Sequence, residues 1–371
     1  MTKQDRSLRR GWTTGTCATA AAKAAFGALV SGEFVDPISV TLPRGERPAF
    51  ALAVARKDGD SATAGVIKDA GDDPDVTHGA LVLATVRRGA PGAGVTFRAG
   101  EGVGQVTRPG LAIPPGEPAI NPVPRQMMRD AIGEVAAAVG CTADAEIEIA
   151  VAGGAALALK TWNPRLGILG GLSILGTTGI VVPYSCSAWI ASIHSGIDVA
   201  RAAGLAHIAG STGSTSEAAV QKLYGLPETA LIDMGDFVGG MLKYVRRHPV
   251  ARVTIAGGVA KISKLAQGLL DLHSKRGSVD FAALAEVARG CGASAELSEQ
   301  IVAANTAAQA FALAQAAGIS LGDEVAGAAR TVAAGVVAGA DVAVDVVMFD
   351  REGRLVGRAS HQADPPRNRR T

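Results

Sequence analysis

The sequence is poor in aromatic residues, poor in cysteine and almost without surplus charge. Aromatics make up 4% of its 371 positions, too few for the rows of stacking rings on which single-stranded nucleic acid lies. Lysine plus arginine number 36 against 34 aspartate plus glutamate, which argues against a generally basic surface, so no nucleic-acid partner is expected. The basic residues near the two ends, Arg6, Arg9 and Arg10 and then Arg367, Arg369 and Arg370, read as solvated tails. Four cysteines at 17, 141, 186 and 291 form no CxxC pair. That spacing gives neither a disulfide framework nor a structural zinc site, and fits reduced thiols in a cytoplasmic protein. The first residues lack the apolar core of a signal peptide. A GxxxxGK(S/T) phosphate loop and a GxSxG serine elbow are both absent, which counts against a P-loop hydrolase and an elbow-type hydrolase.

Glycine is plentiful, and one glycine-rich stretch organises the chain. From Lys160 to Pro183 a polar, proline-stiffened segment runs into apolar residues broken by glycine at 167, 170, 171, 176 and 179. Read as a membrane span, its apolar part from Leu166 to Val182 is at the short end of the ~17–25 residues required and is full of Gly, Ser and Thr, so no membrane partner is expected. The other reading is a glycine-bent strand or strand pair joining two halves. The expected layout is an α+β domain over 1–160 with substrate-facing loops, a seam over 161–183, an α/β domain over 184–340, and a C-terminal hairpin with a disordered tail over 341–371.

In the first half, Thr13-Thr14-Gly15-Thr16 precedes an Ala-rich helix from Cys17 to Val30. Such a turn presents backbone N–H groups at the positive end of a helix dipole, and fits either an anion site or an ordinary N-cap. Cys17, at the same helix start, is either a thiol of lowered pKa or a buried inert one. Asp69, Asp72, Asp73, Asp75 and His78 share one loop whose spacing matches neither a calcium loop nor a zinc helix. An Asp/Pro/Gly turn explains the loop, with Asp73 and His78 as candidate proton acceptors. Arg108 and Arg125 stand in or beside Gly/Pro-rich loops, where a guanidinium fork suits a carboxylate as well as a plain surface position. Pro122–Val139 reads as a helix with proline in its first turn, and Glu146–Val151 as an alternating strand.

The second half alternates strand and helix. Ala206–Gly210 is a short apolar strand running into Ser211-Thr212-Gly213 and a helix, and Ala230–Asp233 is the next strand, ending in an acid about twenty positions on. In a dinucleotide-type layout small residues let a cofactor approach the helix terminus while the acid meets ribose hydroxyls. Gly210, Ser211, Thr212, Gly213 and Asp233 are therefore the candidate cofactor-binding residues. Gly257-Gly258 opens a second such turn. Phe281–Arg289 and Leu297–Ala317 read as Ala-rich helices, and 341–359 as a hairpin. The fold class expected is an α+β N-terminal domain followed by an α/β Rossmann-like domain with a mostly parallel sheet.

Five blocks carry a family resemblance: 8–23, 68–78, 100–110, 116–122 and 163–179, the last reading Asn-Pro-Arg-Leu-Gly-Ile-x-Gly-Gly-x-Ser-Ile-Leu-Gly-Thr-Thr-Gly. In order and composition the sequence resembles the CbiD family, cobalt-precorrin-5B C1-methyltransferases of anaerobic cobalamin (vitamin B12) biosynthesis. The resemblance implies S-adenosyl-L-methionine as methyl donor, a small-molecule corrinoid as acceptor and cobalt-precorrin-6A as product, with cobalt entering only inside the substrate. One block departs from the pattern. Gly153-Gly154-Ala155-Ala156 lacks the acidic residue associated with it, so no catalytic role is carried over there.

Methyl transfer from a sulfonium to an electron-rich ring carbon is an in-line displacement whose main demand is alignment, and it needs no triad. The donor is expected in the second half, while the acceptor's carboxylates are expected on Thr13, Thr14, Gly15, Thr16, Arg108, Arg125 and Arg165. The competing enzyme class is a nicotinamide-dependent reductase acting on a corrinoid intermediate, which uses the same strand-turn-acid logic. A tetrapyrrole carrier is the non-catalytic alternative.

Overall fold

The computed structural model describes residues 8–361. The basic positions Arg6, Arg367, Arg369 and Arg370, and the expected disordered tail past 361, lie outside the described residues. Two compact units divide the chain, Met1–Cys186 and Ser187–Thr371. Both mix helix and sheet.

In the first unit β1 (Gly11–Trp12) leads into α1 (Thr14–Ser31). Alanine has the lowest helical cost of any residue, Thr13 caps the start through its side chain, and Gly32 ends the helix in the left-handed region. There follow β2 (Ile38–Ser39), β3 (Ala49–Phe50), β4 (Val54–Asp58), β5 (Ser61–Ile67), β6 (Leu81–Arg88), β7 (Val95–Ala99) and β8 (Gln105–Val106). Next come α2 (Pro122–Val139), β9 (Ala145–Val151), α3 (Gly154–Ala158), β10 (Ile168–Leu169) and β11 (Ile180–Val181). The main sheet has the order β4-β5-β6-β9-β7, antiparallel except for the β7/β9 pair. Period-two alternation turns Val82, Ala84 and Val86 of β6 and Ala145, Ile147, Ile149 and Val151 of β9 into the core. Glu146 and Glu148 face outward toward Arg98 (3.3 Å) and Arg87 (3.9 Å). Helix α1 lies on this sheet and against α2, with most of its length inaccessible, because an alanine surface lets helix and sheet approach closely.

The second unit opens with α4 (Cys186–Ala202), β12 (His207–Ser211), α5 (Ser214–Tyr224), β13 (Leu231–Asp233), α6 (Val238–Arg247), β14 (Arg252–Gly258) and α7 (Val259–Ala266). It continues with α8 (Phe281–Gly290), α9 (Ala295–Val302), α10 (Ala307–Ala316), α11 (Leu321–Val336), β15 (Ala343–Phe349) and β16 (Leu355–Ala359). The sheet order is β13-β12-β14-β15-β16. The first four strands are mutually parallel and β16 runs antiparallel to β15. One face carries Ile208, Val253, Ile255, Val344 and Val346 into a large core with α4, α6, α7 and α8 to α11. Its other face packs Ala209, Ala256, Val347 and Phe349 against Val220 of α5.

Three expectations need correction. The stretch 161–183 is part of the first unit, since β10 pairs with β8 and β11 pairs with β1. The C-terminal strands do form a hairpin, yet β15 lies beside β14 inside the second unit's sheet and forms no separate piece. Leu297–Ala317 breaks between α9 and α10, where Thr306 Oγ1 accepts from the Gln309 N–H (3.2 Å) and Gln309 Oε1 accepts from the Asn305 N–H (2.9 Å). Local capping of this kind starts a new helix inside a run whose composition favours helix throughout. Among the described residues no helix is long and apolar enough to cross a membrane.

The α5 face becomes polar toward the strand starts. His207 Nε2 pairs with Thr254 Oγ1 (2.8 Å), and Arg252 binds the buried Asp345 while lying over the Tyr224 ring. Burial, and then the Arg252 charge, push His207 down to about 4. An unfolded chain protonates this imidazole near pH 6.5, so it takes up protons that the fold refuses, and the second unit loses stability as pH falls from about 6.5 toward 4. Replacing His207 by Gln, which keeps a hydrogen-bonding amide, is expected to flatten that slope, removing an acid sensitivity on the order of 2 kcal/mol. Melting temperature measured against pH for both proteins checks it.

Candidate functional site

In the first unit the segment before α1 is a packed joint. Thr13 N–H donates to Gly179 O (3.0 Å), Gly15 N–H to Leu175 O (3.1 Å), and the N–H groups of Thr16 and Cys17 to Thr13 O. Thr16 Oγ1 donates to Gly179 O (2.7 Å) and meets Thr13 Oγ1 at 3.1 Å. Thr13, Thr14, Gly15 and Thr16 are all buried. The anion-site reading of this turn is corrected accordingly: its donors hold the 175–181 segment. Burial pushes the Cys17 thiol up to about 12, so it is an inert core residue.

The 68–79 loop closes on the same joint. Trp12 N–H donates to Asp69 O (2.7 Å), Asp72 N–H to Arg9 O (2.9 Å), and the Arg9 guanidinium forks onto the Asp69 carboxylate. That fork, with the Gly71 N–H, holds the Asp69 carboxyl down at about 2. Lys68, 2% exposed, ion-pairs with Asp75 and bonds Thr77 Oγ1. Burial pushes the Asp75 carboxyl up, but the Lys68 charge and bonds from Thr77 more than offset it, leaving it below its ordinary value. Asp73 accepts from the Tyr184 N–H (2.8 Å), and His78 Nδ1 accepts from the Ala70 N–H (3.1 Å). Each candidate proton acceptor thus accepts a backbone N–H, His78 from inside the loop and Asp73 from the distant Tyr184.

The three arginines part company. Arg125 directs Nε to Ile120 O (2.8 Å), both terminal nitrogens to Glu117 Oε2 (3.1 Å) and one of them also to Pro118 O (3.0 Å). Its fork is filled by its own loop, which corrects the carboxylate-binding expectation. Arg108 is exposed, with its stem lying on Gly167, and Thr107 ties the same corner through Gly167 O (2.8 Å). Arg165, two residues from Gly167, stacks over the Trp162 ring at 4.6 Å. The β8/β10 pairing brings these two to one corner.

In the second unit the chain leaves β12 through Ser211-Thr212-Gly213 into α5, on one face of the sheet. It then leaves β13 through Asp233 toward α6, on the other face. Because β13 and β14 flank β12, this is where strand order reverses. Ser211 pairs in register with Asp233 on one side and Ala256 on the other, and Thr212 N–H donates to Ala256 O (3.0 Å). Gly213 and Gly258 head α5 and α7 with open space where a Cβ would project. Gly210 has another purpose: a Cβ there would lie 2.3 Å from Met241 Sδ, so this glycine makes room for core packing and does not face the turn. Among the described residues, Ser211 Oγ is the buried side-chain polar atom with no hydrogen-bond partner, at 0% exposure. A buried hydroxyl left unpaired costs roughly 1–3 kcal/mol. Asp233 Oδ1 accepts from the Gly235 N–H (3.2 Å), which fixes the carboxylate at the strand end.

Two features here escaped the sequence. Trp189 of α4 donates Nε1–H to Asp233 O (3.1 Å), and Lys261 of α7 ion-pairs with Asp236 just past β13. Neither has a local motif; both depend on which helices the fold lays beside β13.

Replacing Lys68 by Met is expected to cost about 3 kcal/mol, since it strands the Asp75 charge in a partly buried site. Adding Asp75→Asn should recover much of the loss. The Lys68→Met deficit narrows in acid, because the Asp75 carboxyl, no longer held down by the Lys68 charge, takes up a proton and is then not a stranded charge. Denaturant unfolding of the single and double variants at two pH values checks all three statements.

The chain matches a family profile described as CbiD over residues 1–183 and one described as CbiD, C-terminal domain, over residues 271–360. It is 62% identical to a cobalt-precorrin-5B C(1)-methyltransferase of Bradyrhizobium sp., covering 99% of this chain and 98% of that one. Proteins of the same name from Methylorubrum extorquens (62% identical, 96% and 99% covered) and Agrobacterium fabrum (61% identical, 100% of both) are similar to it as well. A crystal structure of a cobalamin biosynthesis protein (cbiD) from Archaeoglobus fulgidus is 26% identical, covers 72% of this chain and 83% of that one, and superposes with a TM-score of 0.39. By its sequence identity along nearly the whole length, this chain is a member of the CbiD family.

Proposed function

We propose that the protein transfers a methyl group from S-adenosyl-L-methionine to C1 of cobalt-precorrin-5B, giving cobalt-precorrin-6A in anaerobic cobalamin biosynthesis. Full-length identity of 61–62% to proteins named cobalt-precorrin-5B C(1)-methyltransferase carries the reading. No relative named here is a nicotinamide-dependent reductase. The reaction belongs in the cytoplasm, where four unpaired cysteines stay reduced.

The donor lies at the strand-order reversal of the second unit, in a Rossmann-like arrangement whose parallel strands end together. Support comes from the partnerless Ser211 Oγ, the open space at Gly213 and the carboxylate of Asp233 in register with Ser211. Ser211 would hydrogen-bond the donor, Thr212 and Gly213 would let it approach the start of α5, and Asp233 would accept from its ribose hydroxyls. Arg108 and Arg165 are the first unit's candidates for the substrate carboxylates. The ring carbon supplies the electron pair of the new C–C bond, and the S–CH3 bond breaks with its pair remaining on sulfur, releasing S-adenosylhomocysteine. The residues serve by alignment, worth ~7–11 kcal/mol of barrier.

Ser211→Ala separates ligand binding from folding. Removing a buried, unpaired hydroxyl should leave the melting temperature unchanged or raised, while S-adenosylhomocysteine binds about tenfold more weakly by calorimetry. Asp233→Ala is expected to weaken it further. Wild-type protein that fails to bind S-adenosylhomocysteine but binds NADH would overturn the methyltransferase reading. Unaltered affinity in both variants would move the donor elsewhere.

A further inference from the structure

Trp189 has no place in the chemistry described above, yet its setting is unusual for a tryptophan. The chain has only three, and this one leaves 45% of its surface exposed near the beginning of α4. It is not loose. Nε1–H donates to Asp233 O (3.1 Å), the carbonyl of the residue proposed to meet the ribose. The edge bearing Cζ2, Cε2 and Nε1 packs against Gly235, where a Cβ would lie 3.2–3.5 Å from those atoms. Gly235 adopts φ +52 in the turn leaving β13, a conformation a side chain disfavours, so this position suits the indole and the turn together. The Phe237 ring stands 6.4 Å away, tilted by 56°, and flanks one side.

An indole fixed by one edge presents a π-face at low entropic cost, since its rotamer is already settled by the Asp233 bond. The position of that face follows from the chain. It adjoins the turn after Asp233, on the rim where the parallel strands end, and a nucleoside whose ribose reaches Asp233 carries its base next to that same turn. An apolar ring left 45% exposed to water and held by one edge suits a flat conjugated ligand group that would cover it.

We propose that Trp189 is the stacking platform for the adenine of the methyl donor, and that it sets the preference of this site for an adenine nucleoside. The assignment rests on the donor location argued under the proposed function.

Calorimetry of S-adenosylhomocysteine and of adenosine with Trp189→Phe and Trp189→Leu tests it. Phenylalanine keeps a π-face and should retain affinity within about threefold. Leucine keeps bulk without a π-face and should weaken both ligands roughly ten- to hundredfold. Both variants must melt as the wild type does; a leucine variant that fails to fold is replaced by Trp189→Met under the same expectation. Leucine or methionine variants binding as tightly as wild type, while Asp233→Ala weakens S-adenosylhomocysteine, would overturn the role of Trp189 and leave the donor site standing. Wild-type protein without affinity for S-adenosylhomocysteine would instead remove the site itself. Cobinamide provides the last arm: loss of cobinamide affinity in the leucine variant, with adenosine affinity unchanged, would assign the ring to the tetrapyrrole and overturn the adenine proposal.

Discussion

The hydrogen bonds buried at the start of α1 hold together segments that are far apart in the chain. Thr13, Gly15 and Thr16 reach Leu175 and Gly179, while Trp12 reaches Asp69. Each bond satisfies a helix-terminal donor or a loop carbonyl that would otherwise be buried alone, so the three segments must assemble together. The alanine surface of α1 then sets how closely the sheet and α2 approach. A dipole end that looks ready for an anion is neutralised by the protein's own carbonyls.

The same economy of polar groups runs through the adjoining loop. Lys68 is inside the fold because Asp75 and Thr77 are there to receive it, and Asp69 is ionised against the fork of Arg9. Acidic residues that look like a ligand set on paper are instead bonded to backbone N–H groups and basic side chains. The arginines divide on the same principle. Arg125 is bound by the loop that carries it, while Arg108 keeps its head at the surface.

The second unit inverts this pattern at one place. Its core is saturated with apolar contacts on the face of α4, α6, α7 and α8 to α11, yet Ser211 is buried with its hydroxyl unpaired. Proteins rarely leave such a group alone. The strand-order reversal places it at the end of β12, beside the small-residue turns that leave β12 and β14.

Sequence alone determined the regular elements whose signals are local. The α1 alanine run, the proline-opened and glycine-closed α2, the alternation of β9 and the strand-turn-acid series ending at Asp233 were all legible, because capping, periodicity and spacing act within a few residues. The five blocks also carried the family. What only the tertiary structure decided was which polar groups are already satisfied. It put 161–183 into the first unit, filled the donors of Thr13 to Thr16 and Arg125, used Gly210 for Met241 and left Ser211 unpaired. It also laid Trp189 beside Asp233, 44 residues away in sequence. Hydrogen-bond satisfaction and burial are properties of partners distant in the chain, and no local pattern encodes them.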